Sequence, residues 1–441
     1  MTSRRLSRLR ALLRSMACVL AVVGCALGAT GCDPSTSSDA QSGAPSIESG
    51  PADLVDSSVS DSEGWTTGLA LFSDTPWLIA TASGPVAILR IRSEEYSGPN
   101  DKTVLAALDP QDGSLRWSLT ITPAIESLES SPSRNQSIPQ RAAMDNIELV
   151  GSPGPVVTSP NGQYISLQLN SNESSTIAGT RAGILVLDAA TGETVRTLET
   201  TGLVLGQALT DSDLFVQTAQ DYVPAGSGTL AVAPLDEPEA EPSTLRTDQW
   251  LMGSTAHSLL VGAAADAVLL APDGLSGYCP PCTSTTITEM SASGETLATI
   301  PYVYRILSAG RIARYTDPTA ANDAVGGPGK DLAWAATSRE ILNVSTGATT
   351  DITGFATAPD PLILTDGPGI LLNRIVEAEP DKDGSPHFDQ HSAAWIGSPA
   401  DGGAAHTEPV TDVKDRYRPS KFVKPEDHMD VTLSPTPMEA P

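Results

Sequence analysis

The sequence predicts an all-β fold built from one antiparallel unit repeated along the chain, and three observations predict it. Gly (37) and Pro (35) are both frequent among 441 residues, and neither suits a helix interior. From Trp65 onward, short apolar runs rich in Val, Ile, Leu and Thr alternate with turn clusters, and no amphipathic helical period is present. The turns recur. Thr103–Trp117 reads TVLAALDPQDGSLRW, Gly183–Arg196 GILVLDAATGETVR, Gly228–Ala240 GTLAVAPLDEPEA, Thr286–Leu297 TITEMSASGETL, Glu340–Thr349 EILNVSTGAT and Ala393–Gly402 AAWIGSPADG.

Each copy is an apolar strand, then often Asp, Ser or Asn, then a short turn usually closed by Gly, then another strand. Asp or Asn bonds the backbone of the turn, and Gly takes the positive φ that closes it. A second hairpin precedes several copies. Pro155–Leu169 reads PVVTSPNGQYISLQL, and similar pairs are Pro76–Ile91, Leu259–Ala271 and Leu362–Asn373. The unit is therefore strand, turn, strand, long loop, strand, tight turn, strand. After the first gap the copies recur about every 50 residues, the size of a four-stranded propeller blade. The expected fold is a β-propeller over residues 64–410 with six repeats counted. A seventh blade would be hidden in weak strands or assembled from both ends of the chain. A pair of β-sandwiches, or another all-β array, is the competing reading.

Ala107, Asp109, Gly113 and Trp117 match in full the blade motif of the quinoprotein-like (PQQ-like) propellers, which this stretch resembles. The first hairpins are similar to those of WD-type blades. The resemblance implies that Trp117 docks between neighbouring blades. Asp188 and Gly192 match a second copy, but Val186 and Arg196 replace its Ala and Trp. Quinone-dependent members carry an adjacent Cys-Cys pair, which this chain lacks, so no quinone is expected.

The N-terminus reads as an address. Arg4, Arg5, Arg8, Arg10 and Arg14 precede an apolar stretch, Met16–Ala29, that is shorter than the roughly 20 residues of a spanning helix. It ends in Ala29-Thr30-Gly31-Cys32, which resembles the lipobox of bacterial lipoproteins. That resemblance implies a signal peptide over residues 1–31 and a lipid thioether on Cys32. Cys25 ends a rival box, and an ordinary cleaved signal peptide is the plainer reading. The expected location is extracytoplasmic, lipid-anchored to the bacterial membrane through the N-terminal Cys. Residues 32–63 carry seven acids and no base after Cys32 and almost no large apolar residue, so a disordered tether is expected. Residues 411–441 form a C-terminal extension that first gathers Lys414, Arg416, Arg418, Lys421 and Lys424. Its end is expected to be disordered.

The formal net charge is −27. Removing residues 1–31 takes five Arg and no acid, leaving 21 bases against 53 acids, a net of −32. Such a chain is no nucleic-acid partner, since phosphate binding needs basic patches.

In an antiparallel blade the second-to-third-strand loops all leave one face. Here they are long, near residues 93–102, 170–181, 219–227, 272–284, 316–330 and 377–392, and long loops on a rigid scaffold are where binding sits. Once the signal cysteines and the lipidated Cys32 are set aside, Cys279 and Cys282 form a natural pair in an oxidising compartment. A loop-stapling disulfide is favoured over a redox-active CxxC, because no helix or βαβ pattern surrounds the pair. His387, Asp389 and His391 alternate, so an extended strand would set them on one side as candidate metal ligands. The acidic turn Glu379–Ser385 lacks the later ligands of a calcium loop. No Gly-x-Ser-x-Gly, HExxH or P-loop occurs. The leading expectation is a monomeric binding or scaffold module for envelope proteins or glycans. The alternatives are a propeller hydrolase or lyase with its site on the loop-rich face, and a solute-binding or sensory lipoprotein.

Overall fold

A computed structural model describes residues 45–52, 54–61, 64–69, 77–91, 101–126, 155–170, 176–220, 228–247, 249–255, 267–271, 285–307, 309–317, 337–357, 362–364, 367–378, 387–397, 405–406, 416–423 and 429–434. Their secondary structure is strand throughout, apart from one 3-10 turn at Ile177–Gly179. Ahead of the first repeat lie β1 (Ser46–Ser49), β2 (Val55–Asp61) and β3 (Gly64–Leu69). The first repeat is β4 (Trp77–Thr81), β5 (Gly84–Ile91), β6 (Lys102–Leu108) and β7 (Leu115–Thr122). The second is β8 (Val156–Thr158), β9 (Tyr164–Gln168), β10 (Arg181–Asp188) and β11 (Thr194–Thr201). The third is β12 (Leu203–Leu209), β13 (Asp213–Ala219), β14 (Gly228–Pro234) and β15 (Ser243–Thr247). Each repeat is an antiparallel meander in chain order, with β1 added outside β7 in the first sheet.

The next seven strands share one sheet. They are β16 (Trp250–Thr255), β17 (Ala267–Ala271), β18 (Thr285–Ser291), β19 (Thr296–Leu307), β20 (Arg311–Tyr315), β21 (Arg339–Asn343) and β22 (Thr349–Asp351). A nine-stranded sheet holds β23 (Phe355–Thr357), β24 (Leu362–Leu364), β25 (Gly367–Ala378), β26 (His387–Ile396), β27 (Ala405–His406), β28 (Arg416–Val423) and β29 (Met429–Ser434), together with β2 and β3.

Among the described residues the sheets number five, so the propeller has five blades by hydrogen bonding, not the six expected from the repeats. The reason lies in β19. Its first half pairs with β18 (Ile287 opposite Ile300) and its second half with β20 (Arg305 opposite Ala313). The chain passes from one half to the other through Tyr302, at φ 62°. The repeats around Gly294 and Gly347 are thus fused edge to edge by a strand that serves both.

The expectation of a disordered tether over residues 32–63 gives way over its second half. β1 pairs along β7, with Ser46 opposite Thr122 and Ser49 opposite Leu119. β2 pairs along β3, with Asp61 opposite Gly64. Backbone pairing needs no apolar side chains, so the composition that suggested a spacer did not forbid an added strand. In the C-terminal extension β28 and β29 are likewise strands, and the residues after Ser434 lie outside the described residues.

The core lies between the sheets. Successive side chains of a strand point to opposite faces, and here both faces are packed. On β10, Leu185 and Leu187 join Leu105, Ala107, Ile165 and Leu167. Their neighbours Ile184 and Val186 join Leu209, Leu214, Val216 and Ala233 of the third sheet. The third sheet's Phe215, Leu230 and Val232 meet Leu251, Val268 and Leu270 of the fourth. The fourth sheet's Ala313, Tyr315 and Ile341 meet Ile370, Leu372 and Ile396 of the fifth. Burial on both faces explains why these runs are near-continuously apolar rather than alternating. The first strands of the units lie side by side: β8 against β12, β12 against β16, and β24 against β4, which brings the last sheet back to the first.

Candidate functional site

The turn before each fourth strand follows one pattern. Gly113 N–H donates to the Asp109 carbonyl (2.9 Å), and Asp109 Oδ1 accepts from Gln111 N–H (2.7 Å). Gly192 N–H donates to the Asp188 carbonyl (2.8 Å), and Asp188 Oδ1 accepts from Ala190 and Thr191 N–H (2.9 Å each). Gly113 and Gly192 sit at φ 70° and 75°, where a side chain is disfavoured.

These glycines are also sockets. Trp117 donates its indole N–H to the Ala189 carbonyl (3.2 Å), and its ring covers Gly192, where an added Cβ would lie 2.9 Å from Cδ2. This is the docking implied for the motif Ala107, Asp109, Gly113 and Trp117. Ala107 is fully buried and lies opposite Trp117 across β6 and β7. In the second copy Arg196 stands where the motif has Trp, and it does the same work by other chemistry. Its buried guanidinium donates to the carbonyls of Pro234 (2.7 Å), Glu237 (2.8 Å) and Ala240 (2.5 Å) in the next turn. In the third copy Leu245 packs on Gly294, 3.2 Å from an added Cβ. In the first three repeats the fourth strand therefore plugs the turn of the following unit.

Sequence reasoning missed one plug and the inner ties. Trp65 on β3 is buried, donates to the Pro110 carbonyl (3.2 Å) and covers Gly113 so closely that an added Cβ would collide with its ring. Trp65 relates to Pro110 and Gly113 as Trp117 relates to Ala189 and Gly192. It stands 52 residues before Trp117, one blade length, and that spacing was the available signal. Nearer the axis, Gln207 accepts from Ser166 Oγ (2.7 Å) and donates to the Pro155 carbonyl (2.8 Å). Gln217 donates to the Gln249 carbonyl (2.7 Å) and accepts from Leu251 N–H (2.8 Å). Each buried amide ties the third sheet to a neighbour. A lone Gln in an apolar strand carries no signal of that role.

The two ends of the blades differ. At the tight-turn end, polar groups bond from unit to unit. Ala82 N–H donates to the Gly162 carbonyl (3.0 Å), Asn161 N–H to Asp211 Oδ1 (3.0 Å) and Arg116 to the carbonyls of Ser83 and Ala190 (2.8 Å to the latter). Bonds from Ser114 hold the exposed carboxyl of Asp112 below the usual range at this end, and bonds from Thr353 do the same for Asp351 at the far end of β22. At the other end the links are long. Ten residues separate Ile91 from Lys102, and 23 separate Tyr315 from Arg339, against four between β18 and β19. Most residues of these long links lie outside the described residues. Within the fourth sheet, burial pushes the Tyr304 hydroxyl up, against the pull of Arg339 and Arg305.

Cys32, Cys279 and Cys282 lie outside the described residues. His387, Asp389 and His391 stand on β26, not in the loop expected at 377–392, opposite Ala378, Val376 and Arg374. They alternate along the strand as extended geometry requires. Among the described residues, no group of three or more His, Cys, Asp or Glu is gathered so as to hold a metal ion, and no helix is long and apolar enough to cross a membrane.

No family model matches the chain, and no curated protein matches it. Several solved structures are similar. The β-propeller domain of the Trilobed protease from Pyrococcus furiosus is 11% identical, with 82% of this chain and 100% of that chain covered and a TM-score of 0.36. The Pyrococcus horikoshii acylaminoacyl peptidase is 13% identical over 74% of this chain and 48% of that one, with a TM-score of 0.34. A variant of the Synechocystis apocarotenoid oxygenase is 8% identical over 71% and 88%, with a TM-score of 0.32. The chain is a β-propeller on its own strand pairing: meanders stacked face to face in chain order, plugged one into the next.

Proposed function

We propose that the chain is a membrane-anchored extracytoplasmic propeller lipoprotein that binds or scaffolds envelope proteins or glycans through its loop-bearing face. The observation that supports this is the asymmetry of the two ends. The tight-turn end commits its backbone and Asp side chains to bonds between units. The opposite end carries the longest links, the 33 residues between β7 and β8 and the 23 between β20 and β21 among them, where a loop can vary most. In this reading Cys32 bears the lipid, the strands after it begin the scaffold, and a Cys279–Cys282 disulfide stiffens one long link. The propeller acts as a monomer, without nucleic acid and without a quinone. A metal at His387, Asp389 and His391 would be an accessory on the loop-bearing side.

The test uses the full chain in its own membranes, with a photo-crosslinking residue at exposed Thr176 on the loop side or at exposed Glu193 on the turn side. Discrete adducts with envelope protein or glycan from position 176 and none from 193 are expected. Adducts from 193 alone, or from neither position, would overturn the reading. Incorporation of a fatty-acid label, abolished by Cys32→Ser, checks the anchor separately.

A further inference from the structure

We propose that Asn161 is a site of covalent self-modification, whose side-chain amide closes onto the Gly162 nitrogen once the junction of the first three repeats has opened. Of the chain's nine Asn, Asn161 alone is followed by Gly. Gly has no Cβ to shield its nitrogen, so this pair is the one most open to the reaction. The Gly162 nitrogen attacks the Asn161 Cγ and a C–N bond forms. The side-chain amide leaves as ammonia, taking the Gly162 proton with it. Water then opens the cyclic imide at either carbonyl. The product is Asp, or the isomer whose main chain runs through the former side chain. No other reactant is needed.

The turn primes one reactant and withholds the other. Asn161 Oδ1 accepts from Ser159 Oγ (2.7 Å) and Gln163 N–H (2.9 Å), which draw electron density from Cγ. The Gly162 N–H donates to the Ser159 carbonyl (2.8 Å), so the attacking nitrogen is tied away. Two neighbouring turns hold that arrangement. Asn161 N–H donates to Asp211 Oδ1 of the third repeat (3.0 Å), and the Gly162 carbonyl accepts from Ala82 N–H of the first (3.0 Å). The rotation about Asn161 that brings nitrogen against Cγ carries that carbonyl off Ala82. Gly162 is buried, and a Cβ placed on it would lie 2.6 Å from the Ala82 nitrogen, so the closed junction leaves the turn no room to swing. The product does not refit. It adds a carboxylate beside Asp211, where like charges repel, and the isomer also adds a main-chain carbon to a turn with no space for it. The modification is therefore a permanent record that this junction opened. It depends on neither Cys32 nor the proposed partner.

The test ages the full chain at neutral pH, both native and unfolded in urea. Mass spectrometry follows the peptide around Asn161, and isoaspartyl methylation counts the isomer. The native chain should convert about tenfold or more slowly than the unfolded one, since only its opened fraction reacts. Asp211→Ala, shown folded by circular dichroism, should convert severalfold faster than wild type. Sub-denaturing urea on wild type covers the case in which Asp211→Ala fails to fold. There conversion should rise in step with hydrogen exchange of the peptide holding Ala82. The proposal is overturned if the unfolded chain does not convert, or if native and unfolded chains convert equally. It is also overturned if folded Asp211→Ala converts at the wild-type rate, or if conversion stays flat while that exchange rises.

Discussion

Gly192→Ala and Trp117→Ala should be strongly coupled, because one adds an atom where the other removes a ring. Two separate terms weigh on Gly192→Ala. At φ 75° a Cβ costs about 1–2 kcal/mol in backbone strain. The new Cβ would also stand 2.9 and 3.0 Å from the Trp117 ring carbons, an overpacking worth about 1–3 kcal/mol. The sum is a loss of about 2–5 kcal/mol. In the Trp117→Ala background the second term vanishes and only the strain remains. The coupling energy should therefore be about 1–3 kcal/mol, with the double variant more stable than the sum of the singles. Urea unfolding followed by far-UV circular dichroism on all four chains measures it. Additivity within about 0.5 kcal/mol would refute the claim that the ring fills the socket above Gly192.

Arg196→Ala should destabilise by about 2–4 kcal/mol, because three carbonyls lose a charged donor, and Arg196→Lys should recover less than half in the same assay. Gln217→Leu should lower stability by about 2–4 kcal/mol by stripping the Leu251 N–H and the Gln249 carbonyl of a buried partner. Proteolysis should then report opening between the third and fourth sheets first. Tyr304 has a folded pKa raised above 10.0, so the unfolded chain releases its proton first. Stability from this group is full below pH 10 and is lost as pH rises through and above that value. Tyr304→Phe should flatten the alkaline limb of a plot of thermal midpoint against pH, and an unchanged limb would count against burial of the hydroxyl.

Legibility followed the range of the interaction that shaped each feature. The turns were readable because Asp109, Asp188 and Asn343 bond backbone only a few residues away, and Gly closes each turn at a fixed offset. Trp117 was readable because it sits in the same short motif. The role of Arg196 was half readable: its position marked a plug, while its residue type suggested decay of the motif. The blade count was not readable. Whether β19 breaks into two strands or runs on depends on the backbone at Pro301 and Tyr302, and the local sequence there looks like any other apolar strand. The strand at 46–49 was hidden because Ser-Ile-Glu-Ser carries a single apolar residue, Ile47, which packs on the first core while the backbone pairs along β7. His387, Asp389 and His391 fall on β26 rather than in the loop expected at 377–392, because β26 begins earlier than the turn residues suggest.

The two-sided packing of β10 has a consequence for how damage travels. Ile184 and Leu185 are bonded neighbours, yet they belong to different walls, one shared with the third sheet and one with the first. Odd and even positions along a central strand therefore report to separate interfaces. A lesion at one parity loosens one wall, and its energetic companions are residues more than a dozen positions away, such as Leu105 or Val216, rather than the residue beside it. Adjacent positions in such a strand can change independently over generations while distant ones must change together.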